Sequence, residues 1–157
     1  LKGSYAGAMG GQQFISSSYR RYAVDFDNDG KRDIWNNPAD MIGSVANYFK
    51  VHGWQPGQPI TFMATANGDK HQIAVDKGIK PYYSIRQLAE IGVRSYNLGN
   101  VNPDARAALI RFDQVEGPEY WIGLKNFYVI TRYNHSPLYA MAVYQLSEDI
   151  AARMKVK

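Results

Sequence analysis

The stretch Asp25-Phe26-Asp27-Asn28-Asp29-Gly30-Lys31-Arg32-Asp33-Ile34-Trp35-Asn36-Asn37-Pro38-Ala39-Asp40 places carboxylates at three alternate positions, then a glycine, then a helix start. Alternate residues of a tight loop can turn inward together, and Ca²⁺ takes about six to eight oxygens at roughly 2.3–2.6 Å. Gly30 falls at the sharp turn of such a loop, where a residue without Cβ is favoured. Lys31 follows at the position that gives a backbone carbonyl, so its charge need not face the ion. The usual closing residue is replaced by Asn36, an amide that cannot supply a bidentate carboxylate, and the match to the EF-hand pattern is therefore partial. Asn37-Pro38 forms an N-cap and a first helical residue, which puts Asp40 in the first turn. A carboxylate there closes a longer loop and faces the positive helix end. The stretch predicts an EF-hand-like Ca²⁺ loop with Asp25, Asp27, Asp29, Lys31 and Asp40 as ligands. A solvated Asp/Asn/Gly-rich turn is the competing reading.

Outward from the loop, 157 residues suffice for one domain with a small subdomain. Hydrophobic content of 45% allows a buried core, and twelve tyrosines suit either a core or a carbohydrate or peptide cleft. The net charge of +4 is a mild bias, with basic pairs only at Arg20-Arg21 and Lys31-Arg32. That is no nucleic-acid stripe, though an acidic cell-wall polymer remains a compatible partner. Zero cysteines excludes a disulfide framework, a thiolate zinc site and a cysteine nucleophile. No apolar run reaches the length of about 18 residues needed for a membrane span, and no signal peptide is recognisable.

The glycine-rich Leu1–Phe14 permits close backbone approach but lacks the Gly-Lys-Ser/Thr ending of a phosphate loop. Ser16–Tyr22 reads as a short helix capped by Ser16 or Ser17. Pro38–His52 is the clearest helix, with Met41, Ile42, Val45, Ala46 and Phe49 as its apolar stripe and Gly53 as its stop. Ile60–Ala66 is β-prone, Asn67-Gly68 is a turn, and His71–Val75 reads as a second strand or a loop. Ser84–Ile91 is a short helix capped by Ser84 and stopped by Gly92. Ala107–Asp113 and Glu119–Gly123 form a hairpin across Glu116-Gly117-Pro118. The aromatic and β-branched Asn126–Tyr133 leads to a last helix, started by Ser136-Pro137 and carrying Tyr139, Val143, Leu146 and Ile150 on one face. The fold class expected is α+β.

The residues show no catalytic engine. His52, His71 and His135 lack a recognisable Ser/Asp partner motif and any zinc spacing. The acids outside the loop fall in turns, on polar helix faces or beside charges, not in apolar settings that would suit a general acid.

Gly3-Ser4-Tyr5-Ala6-Gly7-Ala8-Met9-Gly10, Gln13-Phe14 and Ser17-Ser18-Tyr19 resemble the Gly-Ala-Met-Gly-x-x-Gln-Phe-Met-Pro-Ser motif of lytic transglycosylases. Tyr22-Ala23-Val24-Asp25, the acidic loop, Ile42–Phe49, His52-Gly53-Trp54, Asn126-Phe127-Tyr128, Thr131–Ser136 and Tyr139–Val143 narrow the resemblance to the membrane-bound lytic transglycosylase B family, whose acidic loop is an EF-hand-like Ca²⁺ site.

The resemblance implies a mainly helical, lysozyme-like core lobe with a small antiparallel β-rich subdomain. Residues 1–58 would hold part of the core with the loop, 59–123 the subdomain, and 124–157 the return to the core. It implies cleavage of peptidoglycan between N-acetylmuramic acid and N-acetylglucosamine. One glutamic acid would protonate the glycosidic oxygen and then act as base on the muramic 6-hydroxyl, giving 1,6-anhydro ends without water. By the same pattern Ser4 orients that carboxylate, Gln13 and Asn134 hydrogen-bond sugar groups, and Tyr48, Tyr133 and Tyr139 line the subsites. The family's Glu lies in a Glu-Thr/Ser-x-x-Gly helix preceding the glycine-rich stretch, so the acid/base is expected upstream of residue 1 and this chain is expected to be inactive alone. Ile15-Ser16 departs from Met-Pro, and Asn36-Asn37 lengthens the closing end of the loop. The location implied is periplasmic, with any outer-membrane anchor upstream. The alternative is a non-catalytic, Ca²⁺-stabilised peptidoglycan-binding module.

Overall fold

The computed structural model describes residues 7–155, and the chain divides into two compact units, Leu1–Gly53 and Trp54–Lys157. In the first, Met9 and Phe14 pair across a tight turn in which Gly10 has φ +69° and Gln13 φ +56°. A Cβ on Gly10 would meet the Ile34 carbonyl at 2.3 Å, so glycine is required there by space as well as by φ. Helix α1 (Ser16–Tyr22) begins at Ile15 without a side-chain cap, so neither Ser16 nor Ser17 performs the capping expected of it. Helix α2 (Pro38–Val51) starts as expected, with Asn37 accepting from Ala39 and Asp40 N–H at 3.0 and 3.4 Å.

The face that α2 buries is not its apolar stripe. Asp40, Gly43, Ser44 and Tyr48 are buried, while Met41, Val45 and Phe49 are half-buried and Ile42 is 69% exposed. The acidic loop dictates this orientation. Its backbone N–H groups need acceptors, and Asp40 and the Ser44 hydroxyl supply them to Phe26 and Val24. Gly43 leaves room for the Phe26 ring, which would lie 2.6 Å from an added Cβ.

The second unit holds an antiparallel sheet ordered β2-β4-β5-β1-β3, from β1 (Thr61–Ala66), β2 (Tyr83–Ser84), β3 (Val93–Arg94), β4 (Arg106–Gln114) and β5 (Gly117–Gly123). The hairpin turns at Val115-Glu116, so Gly117 and Pro118 lie inside β5 opposite Gln114 and Asp113. Pro118 is tolerated because β1 pairs with β5 only from Tyr120 onward, leaving no ladder bond for its missing N–H. Ala64, Leu109 and Ile122 pack with Ala74, Ile85, Leu88 and Val93 to form the core. His71–Val75 is not a strand. Residues Gln72–Val75 form a one-turn helix, α3, closed by Ala74 and Val75 N–H bonds to the His71 carbonyl. Ala74 is buried in the core and Val75 packs against it half-buried, while the β-branched Ile73 is 59% exposed. Helix α4 (Ile85–Glu90) carries a full capping box between Ser84 and Gln87.

Helix α5 (Lys125–Tyr133) buries Phe127, Val129, Ile130 and Thr131. Its buried Asn126 accepts from Gln55 N–H at 2.8 Å and donates to the Gln55 and Gln58 carbonyls at 2.8 and 3.0 Å. Helix α6 (Pro137–Met154) buries Ala140 and Met141, whereas Leu146 and Ile150 on the expected core stripe are exposed. Its close packing within the unit is therefore confined to the first turns, where a small Ala140 admits close approach. Residues 124–157 belong with the sheet in the second unit. Among the described residues no helix is long and apolar enough to cross a membrane.

Candidate functional site

The acidic loop folds around its own carboxylates. Asn28 and Gly30 adopt left-handed backbone, φ +62° and +87°, which asparagine and glycine tolerate best. Asp25 accepts from Asp29 N–H at 3.1 Å and Gly30 N–H at 2.8 Å, and Asp29 accepts from Lys31 N–H at 2.8 Å. Asp27 accepts from Asp29 N–H at 3.3 Å and from the Asn37 amide at 2.7 Å. One ligand oxygen each from Asp25, Asp27 and Asp29 lies within 4.8 Å of the other two. The Asn37 hydrogen bond chiefly holds the Asp27 carboxyl below its ordinary range, so it stays charged beside its neighbours. An all-oxygen, anionic cluster of this kind fits a hard divalent cation.

Asp33 and Asp40 do different work. Asp33 accepts from Trp35 and Asn36 N–H at 2.9 Å each, and those backbone donors, Asn36 first, hold its carboxyl below the usual range. It closes the turn into Asn36. Asp40, fully buried, stands apart from the cluster of three: one oxygen accepts from Phe26 N–H at 2.7 Å and the other from Asp33 N–H at 2.8 Å. It ties both limbs of the loop to α2.

Of the residues matched to sugar-contacting positions, Ser4 lies outside the described residues. Gln13 is exposed and its amide donates to the Gly10 carbonyl at 2.9 Å. Tyr48 is buried in an aromatic group: 4.7 Å from Tyr22 edge-on, 6.1 Å from Phe14, and stacked on His52 at 4.0 Å. His52 Nδ1 lies 2.8 Å from the Tyr48 carbonyl, which only accepts, so Nδ1 carries the proton. In the second unit the Tyr133 and Tyr139 rings are parallel to within 9°, with centroids 6.5 Å apart. Between them in sequence, Asn134 accepts from Ser136 N–H at 3.1 Å and Ser136 caps α6 by accepting from Tyr139 N–H at 3.3 Å. That pair of bonds closes the short turn between the two tyrosines.

Sequence reasoning gave no role to two further features. Ser17, Ser18, Arg20, Arg21, Tyr22 and Tyr48 line a pocket of about 550 Å³ in the first unit. In the second, Trp121 meets Tyr144 edge-on at 6.3 Å, and its indole N–H donates to Glu119. The Arg20-Arg21 pair was the available signal for the first feature; nothing short-range marked the second.

Comparison with known proteins agrees with this geometry. The transglycosylase SLT domain family matches residues 1–148. The membrane-bound lytic murein transglycosylase B of Escherichia coli K12 is 51% identical over 152 residues, covering 96% of this chain and 40% of that protein. The structure of catenated lytic transglycosylase SltB1 from Pseudomonas aeruginosa superposes with a TM-score of 0.89 at 51% identity, over 98% of this chain and 50% of that one. The Escherichia coli lytic transglycosylase Slt35 in complex with calcium gives a TM-score of 0.80 at 50% identity, over 98% of this chain and 47% of that one. The chain thus spans about half the length of the proteins it matches. With matches along nearly all of its length, it belongs to the transglycosylase SLT domain family, with the fold of its lysozyme-like relatives.

Proposed function

We propose that this chain is part of a peptidoglycan lytic transglycosylase that cleaves the MurNAc–GlcNAc β-1,4 bond without water, leaving 1,6-anhydromuramic ends. The observation that supports the reading is the Tyr133–Asn134–Tyr139 turn, which holds two parallel aromatic rings and an exposed amide at residues matched to the family's motif. Gln13 and Asn134 offer amides to sugar hydroxyl and acetamido groups. Tyr48, Tyr133 and Tyr139 offer faces or edges to the pyranose rings, and Ser4 orients the acid. The acid/base is a glutamic acid in chain preceding residue 1. In support, Glu90, Glu116 and Glu148 of this chain are exposed, and Glu119 is half-exposed and bonded to the Trp121 indole. None of the four is buried in an apolar setting. A single carboxyl acting first as acid and then as base departs from the two-carboxylate scheme of glycoside hydrolysis.

Asp25, Asp27, Asp29 and the Lys31 carbonyl hold a structural Ca²⁺, in an EF-hand-like loop that Asp40 closes. Each Asp40 oxygen keeps a lone pair beyond the N–H it accepts. One such loop, without a paired second hand, suits a static role better than a sensor. The protein acts in the periplasm, and any outer-membrane anchor lies in chain preceding residue 1.

The test is muropeptide release from purified sacculi, read by mass spectrometry, comparing this chain with the full-length protein. Anhydro ends from the full-length protein alone support the reading. Activity from residues 1–157 alone would place the acid within them. Glycan retention with no cleavage by either would instead establish a Ca²⁺-stabilised binding module.

A further inference from the structure

Arg20 and Arg21 occupy the last turn of α1, where a positive charge meets the helix's negative end. That accounts for one favourable interaction of a cation at this place. It does not account for a pocket that brings both arginines together with two serines and two tyrosines. The described ion pairs of the chain are Arg86 with Asp104 and Arg111 with Asp113, and neither Arg20 nor Arg21 takes part in one among the described residues. Both are exposed, as is Ser17, and Ser18 is half-exposed. Tyr22 and Tyr48, which also line the pocket, have their rings 4.7 Å apart and edge-on. The lining therefore combines two aromatic residues with two arginines and two serines, without a carboxylate among the lining residues. Arginine's planar fork matches a carboxylate in two parallel bonds. An anion seated here also lies beside Tyr48, the residue expected to meet sugar.

Resting on the transglycosylase reading above, we propose that the Arg20–Arg21 pocket is a subsite for a carboxylate carried on the muramic acid residue of the glycan. Two sources share that chemistry: the peptide stem, and the lactyl carboxylate exposed when the stem has been removed. The pocket supplies binding and register to the strand, not a reacting group. Neither arginine touches the bond being broken. Their contribution is uniform across ground and transition states, so it falls on KM and leaves kcat alone.

The experiment uses the full-length protein and the double substitution Arg20→Gln/Arg21→Gln, with Arg20→Lys/Arg21→Lys as the conservative partner. Three glycan substrates are compared by release of anhydro ends: stem-bearing strands, amidase-stripped strands, and strands whose carboxylates are neutralised by carbodiimide coupling to methylamine. The Gln variant should raise KM for stem-bearing strands about fivefold to tenfold with kcat unchanged, as expected for losing an exposed charged contact. It should match wild type on the neutralised strands, and the Lys variant should recover part of the loss. A KM rise on stripped strands as well assigns the lactyl carboxylate; a rise confined to stem-bearing strands assigns the stem. Equal KM on all three substrates, or the same loss on neutralised strands, overturns the subsite while leaving the enzyme reading intact. A wild-type protein that releases no anhydro ends overturns both. Melting temperatures of the variants guard against misfolding, since two exposed side chains should leave them unchanged.

Discussion

Asp40, replaced in the absence of the ion, tests the bracing of the loop by itself. Its buried carboxylate accepts two backbone N–H groups from opposite limbs, Phe26 and Asp33. In Asp40→Asn one oxygen becomes an NH₂, which faces a backbone donor it cannot accept from, and the other bond loses its charge. Hydrogen bonds to charged groups contribute about 1.5–3 kcal/mol, and a buried donor left without a partner costs about 1–3 kcal/mol. The sum for the variant is a loss of about 3 kcal/mol. At roughly 2–4 °C per kcal/mol for a chain of this size, the melting temperature in EDTA should fall by about 6–12 °C. Asp27→Asn is the counterpart. Asp27 is exposed and accepts from Asn37 and Asp29, so its variant should melt in EDTA within about 2 °C of the parent. In Ca²⁺ the order of effects reverses in kind: Asp27→Asn should weaken calcium binding at least about tenfold by calorimetry, since removing a charged ligand lowers affinity. An Asp40→Asn protein that melts with its parent in EDTA would refute the assignment of Asp40 as the brace.

Three other outcomes follow from the same geometry. Asn126→Ala leaves the backbone of Gln55 and Gln58 without three buried partners, and should lower unfolding free energy by about 3 kcal/mol in urea titrations. Tyr139→Ala removes one of two parallel rings, and in the full-length protein should raise KM on sacculus glycan by about threefold to tenfold. Hydrogen bonding and charge from Arg86 hold the Asp104 carboxyl below its ordinary range, so the pair adds stability above the unfolded carboxylate range near pH 4 and loses it as pH falls through the lower folded value. Both partners are exposed and the contribution is small, so Asp104→Asn should give a slightly shallower acid limb in a pH series of melting temperatures and no change at pH 7.

The elements whose ends are set by local chemistry were legible in the sequence. Asn37-Pro38, Ser84 with Gln87, and Ser136-Pro137 each cap the helix they announce, because capping involves only a few adjacent residues. The Ser16 or Ser17 cap was the exception, since α1 begins after Ile15 without a side-chain cap. His71–Val75 failed for a related reason: Ile73 and Val75 carry β propensity, but one helical turn puts Ala74 into the core, and tertiary packing outweighs propensity over so short a run.

The orientation of the long helices was not legible, and α2 carries a physical lesson for the site. Periodicity identifies an apolar stripe and assumes it is the buried face. In α2 the buried face is instead the one that carries Asp40 and Ser44, which accept from the Phe26, Asp33 and Val24 N–H groups of the chain before it. Orphaned buried N–H groups cost more than leaving Ile42 and Val45 partly exposed, so polar satisfaction decides the rotation of the helix. That rotation also carries Tyr48, one face of the helix with Ser44, into the aromatic group with Tyr22 and His52. The acidic loop therefore does two things at once. It gathers three carboxylates, and through Asp40 and Ser44 it fixes the helix that holds a proposed sugar contact. A structural cation in the loop would act on the glycan site by stiffening this connection rather than by touching the substrate.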